Sequence, residues 1–282
     1  MFRTTFLRQV SLSLLMAFAS GSSAFADVVS FKDGTPTPLL GGTYTGAEDT
    51  MILTNSGSLA NTNFGGRGNM EIGPPNPSNY FRNGLVRFDV TALNGNVSAI
   101  SAVTLRLTVT NSGALGGGAD VIGTNTLQVF QMTAANGDWV EGTGNISVGT
   151  GWSTWDQKIH GSQNWAGTPG ANTAGVDYVN TLIASFTFNN STAAGSTIDL
   201  VFSDVSFVSN WIAGNNPGLM LRTSNFNSPP NVISLATSES STLSAHPELI
   251  VTFTPVPEPT SMLLGMFGVV LAARKYRIAR RT

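Results

Sequence analysis

Between positions 138 and 165 the chain gathers Asp138, Trp139, Glu141, Trp152, Trp155, Asp156, His160 and Trp165. Four of its five tryptophans fall in this stretch, which is otherwise rich in Gly, Asn and Thr. Indole rings stack on the C–H faces of sugars, and carboxylates or amides take the hydroxyls, so the chemistry these types suggest is carbohydrate binding. The same indoles could instead pack inward and pin loops to a scaffold. Packing is the stronger reading for Trp139 and Trp155, while Trp152 and Trp165 are the better candidates for ligand contact. Trp211, at helical spacing with Val205, Val208 and Ile212, reads as core.

Other chemistry is thinly supported. A glycosidase needs two carboxylates about 5–9.5 Å apart across a groove, and only Glu141 with Asp138 or Asp156 offers a pair here. No G-x-S-x-G elbow, Walker loop or dinucleotide fingerprint occurs, so a non-enzymatic protein is expected. Hard oxygen ligands for Ca2+ are present in Glu48-Asp49, Asp138 and Glu141, without EF-hand spacing. Zinc is disfavoured, because His160 and His246 are the only histidines and there is no cysteine. That also excludes disulfides and thiol nucleophiles.

The elements that must position these residues are strands. In 85–109, LVRFDVTALNGNVSAISAVTLRLTV, Val86, Phe88 and Val90 alternate with Arg87 and Asp89, and Val103, Leu105, Leu107 and Val109 with Thr104, Arg106 and Thr108. A period of two puts successive side chains on opposite faces of a strand, so each run buries one face. Arg87, Asp89 and Arg106 then point outward. They form either a polar sugar-binding face, with arginine gripping uronate carboxylates, or a solvated face with a cross-strand ion pair; the second is favoured. Further strands are predicted at 44–53, 70–72, 126–132, 182–188, 198–202, 218–221 and 248–253. One short helix is predicted over 204–213, with Ser203 or Asp204 as its cap. Residues 27–42 hold Pro36 and Pro38 and read as a lead-in or edge strand, and Gly116-Gly117-Gly118 marks a flexible connection. Residues 134–178 read as one long loop region, of the kind that is functional or ordered by its own side chains.

The phrases VRFDVTAL, ISAVTLRLTV, GDWVEGTG, GWSTW, FVSNWIAGNNPGLML and HPELIVTF together resemble the DNRLRE-type domain, also classed as carbohydrate-binding module family 96. The resemblance covers about residues 43–254. It implies an all-β, antiparallel jelly-roll-type β-sandwich and, in some members, binding of an acidic, alginate-like polysaccharide. The candidate contacts carried by this reading are Trp152, Trp165, Trp139, Trp155, Glu141, Arg87 and Arg106.

Composition agrees with an all-β chain: 31 glycines, 41% apolar residues and 11% charged ones suit many short strands around a sizeable core. All 16 acidic residues but only seven of the 14 basic ones lie between Asp27 and Pro259, an excess of nine negative charges. Such a surface repels phosphate backbones, so nucleic acid is not an expected partner.

The two ends read as addresses. Residues 1–26 have a basic start (Arg3, Arg8), an apolar run and the small-x-small site Ala24-Phe25-Ala26, a secretory signal helix cleaved before Asp27. At the other end, VPEPT precedes the apolar run 262–273 and the basic cluster RKYRIARR. That run spans only about 20 Å as a helix, against a hydrocarbon core of about 30 Å. The arrangement resembles the PEP-CTERM sorting signal over 255–282, whose tail is also classed as an ice-binding protein C-terminal domain. The resemblance implies a Gram-negative host, export across the inner membrane and transient membrane anchoring. It also implies recognition at Pro257, Glu258 and Pro259 by an exosortase-like processing enzyme, then release to the cell surface or matrix. No regular Thr-rich repeat supports ice binding by the body of the chain. The expectation is therefore an exported protein that associates with extracellular or biofilm polysaccharide. A structural matrix protein without a ligand site, and a carbohydrate-active hydrolase or lyase, are the alternatives.

Overall fold

A computed structural model describes residues 26–256, apart from 38, 40, 56–58, 76–79, 111–118, 122 and 226–230. The leader through Phe25, with Ala24, the glycine connection at 116–118, and the tail with Pro257, Glu258 and Pro259 lie outside the described residues. Val28–Phe253 forms one compact unit. Its strands in chain order are β1 (Asp27–Lys32), β2 (Pro36–Thr37), β3 (Gly42–Thr43), β4 (Ala47–Asn55), β5 (Asn69–Ile72), β6 (Tyr80–Phe88), β7 (Val97–Thr108) and β8 (Ala119–Val121). They continue as β9 (Thr124–Met132), β10 (Gln157–Ile159), β11 (Gln163–Asn164), β12 (Tyr178–Asn189), β13 (Thr197–Val201), β14 (Leu219–Thr223), β15 (Asn231–Ala236) and β16 (Glu248–Pro255).

The chain is an all-β, antiparallel sandwich. A four-stranded sheet runs β1-β16-β7-β13, and a five-stranded sheet runs β12-β9-β14-β6-β4. A smaller sheet, β5-β15-β8, continues the wall. Chain neighbours β6 and β7, and likewise β12 and β13, sit in different sheets, so the chain repeatedly crosses between layers. The two alternating runs of 85–109 therefore face each other across the core and do not pair. Val86 and Phe88 from one layer join Val103, Leu105 and Leu107 from the other in the main core, with Phe31, Phe188, Leu249, Val251 and Phe253. Residues 27–32 are an edge strand, β1 lying outermost in its sheet.

The short strands β8, β10 and β11 are not among the expected strands, and three further elements depart from the sequence expectation. The α-helix, α1, is only Val208–Ile212. Asp204 instead accepts the Ser206 N–H at 2.8 Å, closing the turn before it, and no side chain caps the helix itself. In β12 the pairing register shifts on both sides of Leu182, so Ile183 turns into the core while Leu182 is exposed. The irregularity is local: beyond it Ala184, Phe186 and Phe188 face inward as the alternation predicts. Strand β15 carries no alternation at all: all six residues of NVISLA are buried. It lies between β5 and β8, where Gly73 at φ 101° lets the chain pass tightly; a Cβ there would stand 2.0 Å from the Asn231 carbonyl oxygen. Among the described residues no helix is long and apolar enough to cross a membrane.

Candidate functional site

The five-stranded sheet is apolar on both faces. Met51, Val86, Val129, Leu219 and Leu221 face the sandwich core, while their neighbours Ile52, Leu85, Phe130 and Met220 belong to a second apolar cluster. That second cluster is completed by Trp139, Trp155, Trp165 and Tyr178. Residues 134–178 are therefore a third layer laid over the outer face of the sheet, with the indoles of Trp139, Trp155 and Trp165 in its core. Strands buried on both sides read as unbroken apolar runs, which is what MIL, LV, VF and LML are in this sequence.

Buried polar side chains give this irregular layer its shape. Asp177, wholly buried, accepts the N–H groups of Gly167, Thr168 and Thr173 and the side-chain amide of Asn136. Asn63, also buried, donates to the Glu141 and Ser153 carbonyls and accepts the N–H groups of Gly65 and Gly144. Lys158 donates to the Ala135 carbonyl at 2.9 Å and pairs with Asp138 at 2.5 Å. Backbone groups that a sheet would pair by ladder are paired here by side chains, as burial requires.

The indoles are placed accordingly. Trp139 is fully buried and donates from Nε1 to the Pro217 carbonyl at 2.9 Å. Trp155 is stacked on Phe81 with ring centroids 6.2 Å apart. Trp165, expected as a ligand contact, is instead 4% exposed, its Nε1 shared between the Thr154 and Trp155 carbonyls at 3.1 and 3.0 Å. Its apolar area and its one donor are both satisfied inside, which leaves no face for a sugar. Trp152 is the only one of the four that is partly exposed, and its ring is held against Gly142 and Gly149, where an added Cβ would approach to 2.5 and 2.1 Å. Trp211 is core, as expected.

The two candidate arginines are engaged as well. Arg87 pairs with Glu48 directly opposite it on β4, donates to the Gly137 and Trp139 carbonyls, and lies 4.6 Å over the Trp139 ring. Arg106 grips Asp199, its register partner on β13, through Nε and Nη2 at 2.7 and 3.0 Å. Both are the cross-strand ion pairs that the alternation favours, with partners the sequence reading did not name. Neither presents an empty guanidinium fork to a uronate.

One group of acids has no such partners. Asp49 on β4, Glu141 in the third layer and Glu239 in the turn after β15 bring carboxylate oxygens within 4.8 Å of one another. Asp49 is 0% exposed, Glu141 is partly buried and Glu239 opens to solvent. Glu141 Oε1 accepts the Asp49 backbone N–H at 2.7 Å, and Asp49 Oδ2 accepts that of Ser238 at 2.8 Å. Asp49 Oδ1 is buried with no hydrogen-bond partner among the described residues. Burial pushes the Glu141 carboxyl up to about 9, against the pull of the Asp49 N–H and with the charges of Asp49, Glu239 and Glu48 adding to it. Burial raises Asp49 and Glu239 as well. Glu48 and Asp138, the other oxygen donors considered for Ca2+, are engaged elsewhere, with Arg87 and Lys158. Glu239 was invisible to spacing, since it lies 98 positions beyond Glu141 and only the fold joins them.

A second surface feature is an open groove of about 480 Å³ at one end of the sandwich, lined by Thr45, Glu48, Arg87, Asp89, Thr91 and Asn216 among others. No protein-family model matches this chain, and no curated protein matches it.

Proposed function

We propose that this chain is an exported, non-enzymatic β-sandwich that serves as a rigid structural module among the polysaccharide of the cell surface or extracellular matrix. The supporting observation is that the layer holding its tryptophans and carboxylates is itself a packed core: Trp139, Trp155 and Trp165 are buried in it. A segment that looks like a binding loop by composition is thereby ordered as scaffold. Export and retention rest on the leader and on the PEP-CTERM-like tail, with its expected exosortase-like processing and transient passage through the inner membrane. The decisive experiment expresses the full chain in a Gram-negative host and follows its fractionation. Mature protein in the surface or matrix fraction, beginning at Asp27, supports the reading; uncut chain retained in the cytosol overturns it.

A second reading, direct polysaccharide binding, is favoured by the open groove, whose hydroxyl, amide and carboxylate groups suit sugar hydroxyls. Its expected signature is retarded migration of the protein in gels containing alginate or the host exopolysaccharide, reduced by Asp89→Ala. Unchanged migration on every polysaccharide leaves the structural role alone. Because the chain has an excess of acidic residues, binding to anionic alginate through this groove would also strengthen with added salt.

A further inference from the structure

We propose that Asp49, Glu141 and Glu239 form a binding site for one divalent cation of the hard, oxygen-seeking kind, with Ca2+ as the ion that fits. Three negative side chains converge on a point that no Lys or Arg among the described residues reaches by an ion pair. One of them, Asp49, is wholly buried, with an oxygen that has no partner. Its other oxygen accepts the Ser238 N–H, but no counter-charge pairs with it, and a buried carboxylate without a counter-charge is costly to keep ionised unless something neutralises it. A proton can do so, but only for one group at a time; a divalent ion does so for all three.

Three oxygens no more than 4.8 Å apart have a common centre no farther than about 2.8 Å from each, compatible with the 2.3–2.6 Å of Ca–O bonds. Ca2+ also accepts irregular shells of six to eight oxygens, which suits side chains from three separate elements better than the near-ideal octahedron that Mg2+ demands. The solvent-facing side, where Glu239 is exposed, leaves room for the waters that complete a Ca2+ shell. Asp33 and Glu48 add negative field at the site, while His246 acts electrostatically on Glu239 and Asp33, and Arg67 lies in the segment beside Glu239, its backbone carbonyl accepting the Thr237 hydroxyl. The ligands come from three elements far apart in sequence, so the ion would tie β4, the tryptophan layer and the turn after β15 together. This site is independent of the polysaccharide reading.

The test uses the purified full chain, stripped with EDTA and titrated with CaCl2 or MgCl2 near neutral pH. The expected result is one Ca2+ per chain by calorimetry, release of protons on binding, and a melting temperature several degrees higher in millimolar Ca2+ than in EDTA. Mg2+ should give a smaller rise at equal concentration. Asp49→Asn keeps shape and needs no proton, so it should fold in EDTA at least as stably as the wild type while losing the Ca2+ response. Glu239→Gln, at an exposed position, should fold normally and bind Ca2+ at least tenfold more weakly. No heat and no thermal shift with wild-type protein would overturn the proposal. So would a Ca2+ response that survives unchanged in both variants.

Discussion

Asp49 and Glu141 are bound to each other by one hydrogen bond and set against each other by charge. The Asp49 backbone N–H donates to Glu141 Oε1 at 2.7 Å, yet their carboxylates belong to one cluster whose oxygens lie within 4.8 Å. The contact fixes the third layer to the edge strand β4 across 92 positions of sequence. It also places two acids where they cannot both ionise cheaply, and this sets how the metal-free protein responds to pH.

In the unfolded chain Glu141 ionises near its ordinary value of about 4.3, and in the folded chain its carboxyl is pushed up to about 9. Across that window the folded protein holds a proton that the unfolded chain has lost. Stability from this group is thus full below the unfolded value and is lost as pH rises toward 9. Burial raises Asp49, Glu239 and Asp33 in the same direction. The lowered carboxyl of Asp199 acts only below its ordinary value of 3.8 and leaves this window untouched. In EDTA the melting temperature should therefore fall steadily from pH 5.5 to 8.5, and Glu141→Gln should flatten that slope. A wild-type profile that is level or rising in EDTA would contradict the argument.

Asp177 is expected to be the most sensitive polar position in the third layer. Its two oxygens take three backbone N–H groups and the Asn136 amide inside a segment that is not strand. Asp177→Ala strands those donors away from water, at about 1–3 kcal/mol for each that finds no replacement. A loss of at least about 3 kcal/mol in urea unfolding should follow, with early proteolysis between 166 and 177. Asp177→Asn should cost less, since its amide oxygen still accepts.

How much of this was legible in sequence depends on how far apart the interacting residues lie. The alternation in β7, β13 and β16 showed which face each buries, because a strand's period is local: Leu249, Val251 and Phe253 are all buried as read. In β6 it found the core-facing Val86 and Phe88 but not that the opposite face, with Leu85, is also covered. The bulge at Leu182 was not legible, because a register shift is imposed by the partner strand β9. β15 was passed over because NVISLA does not alternate, being buried on both faces. The tryptophan layer illustrates the harder limit. A Gly- and Asn-rich stretch with exposed indoles and one with buried indoles have the same composition, and only the paired apolar residues of the sheet beneath it, Ile52, Leu85, Phe130 and Met220, distinguish them. Glu239 could be joined to Asp49 and Glu141 only through three separate elements, so no local pattern could reveal it.

Truncations should separate the tryptophans that hold the layer from the one at its surface. Trp139 is fully buried, hydrogen-bonded to Pro217 and covered by Arg87, so Trp139→Ala should cost about 3–5 kcal/mol. Trp165→Phe retains most of the apolar area and gives up the shared hydrogen bond, a loss of about 1–2 kcal/mol. Trp152, partly exposed, should tolerate alanine with a smaller loss than Trp139→Ala. Chemical denaturation of the three variants checks the order; equal costs at Trp139 and Trp152 would show that burial does not rank them.

Two of the arginine pairs that span strands, Arg82–Glu71 and Arg106–Asp199, offer a sharper comparison, because they differ strongly in burial. Arg82–Glu71 has side chains only 11% and 3% exposed, while Arg106–Asp199 stands at 40% and 47%. Removing one member of the buried pair leaves a desolvated charge without its counter-ion, at about 3–5 kcal/mol, whereas the exposed pair is screened by water and is worth about 1 kcal/mol or less. Arg82→Met should therefore lower stability severely, and the double variant Arg82→Met with Glu71→Gln should recover much of that loss. Arg106→Met should barely move the unfolding midpoint, and high salt should erase the remaining difference. Comparable losses at the two sites would mean that Glu71 is better solvated than its burial on β5 implies.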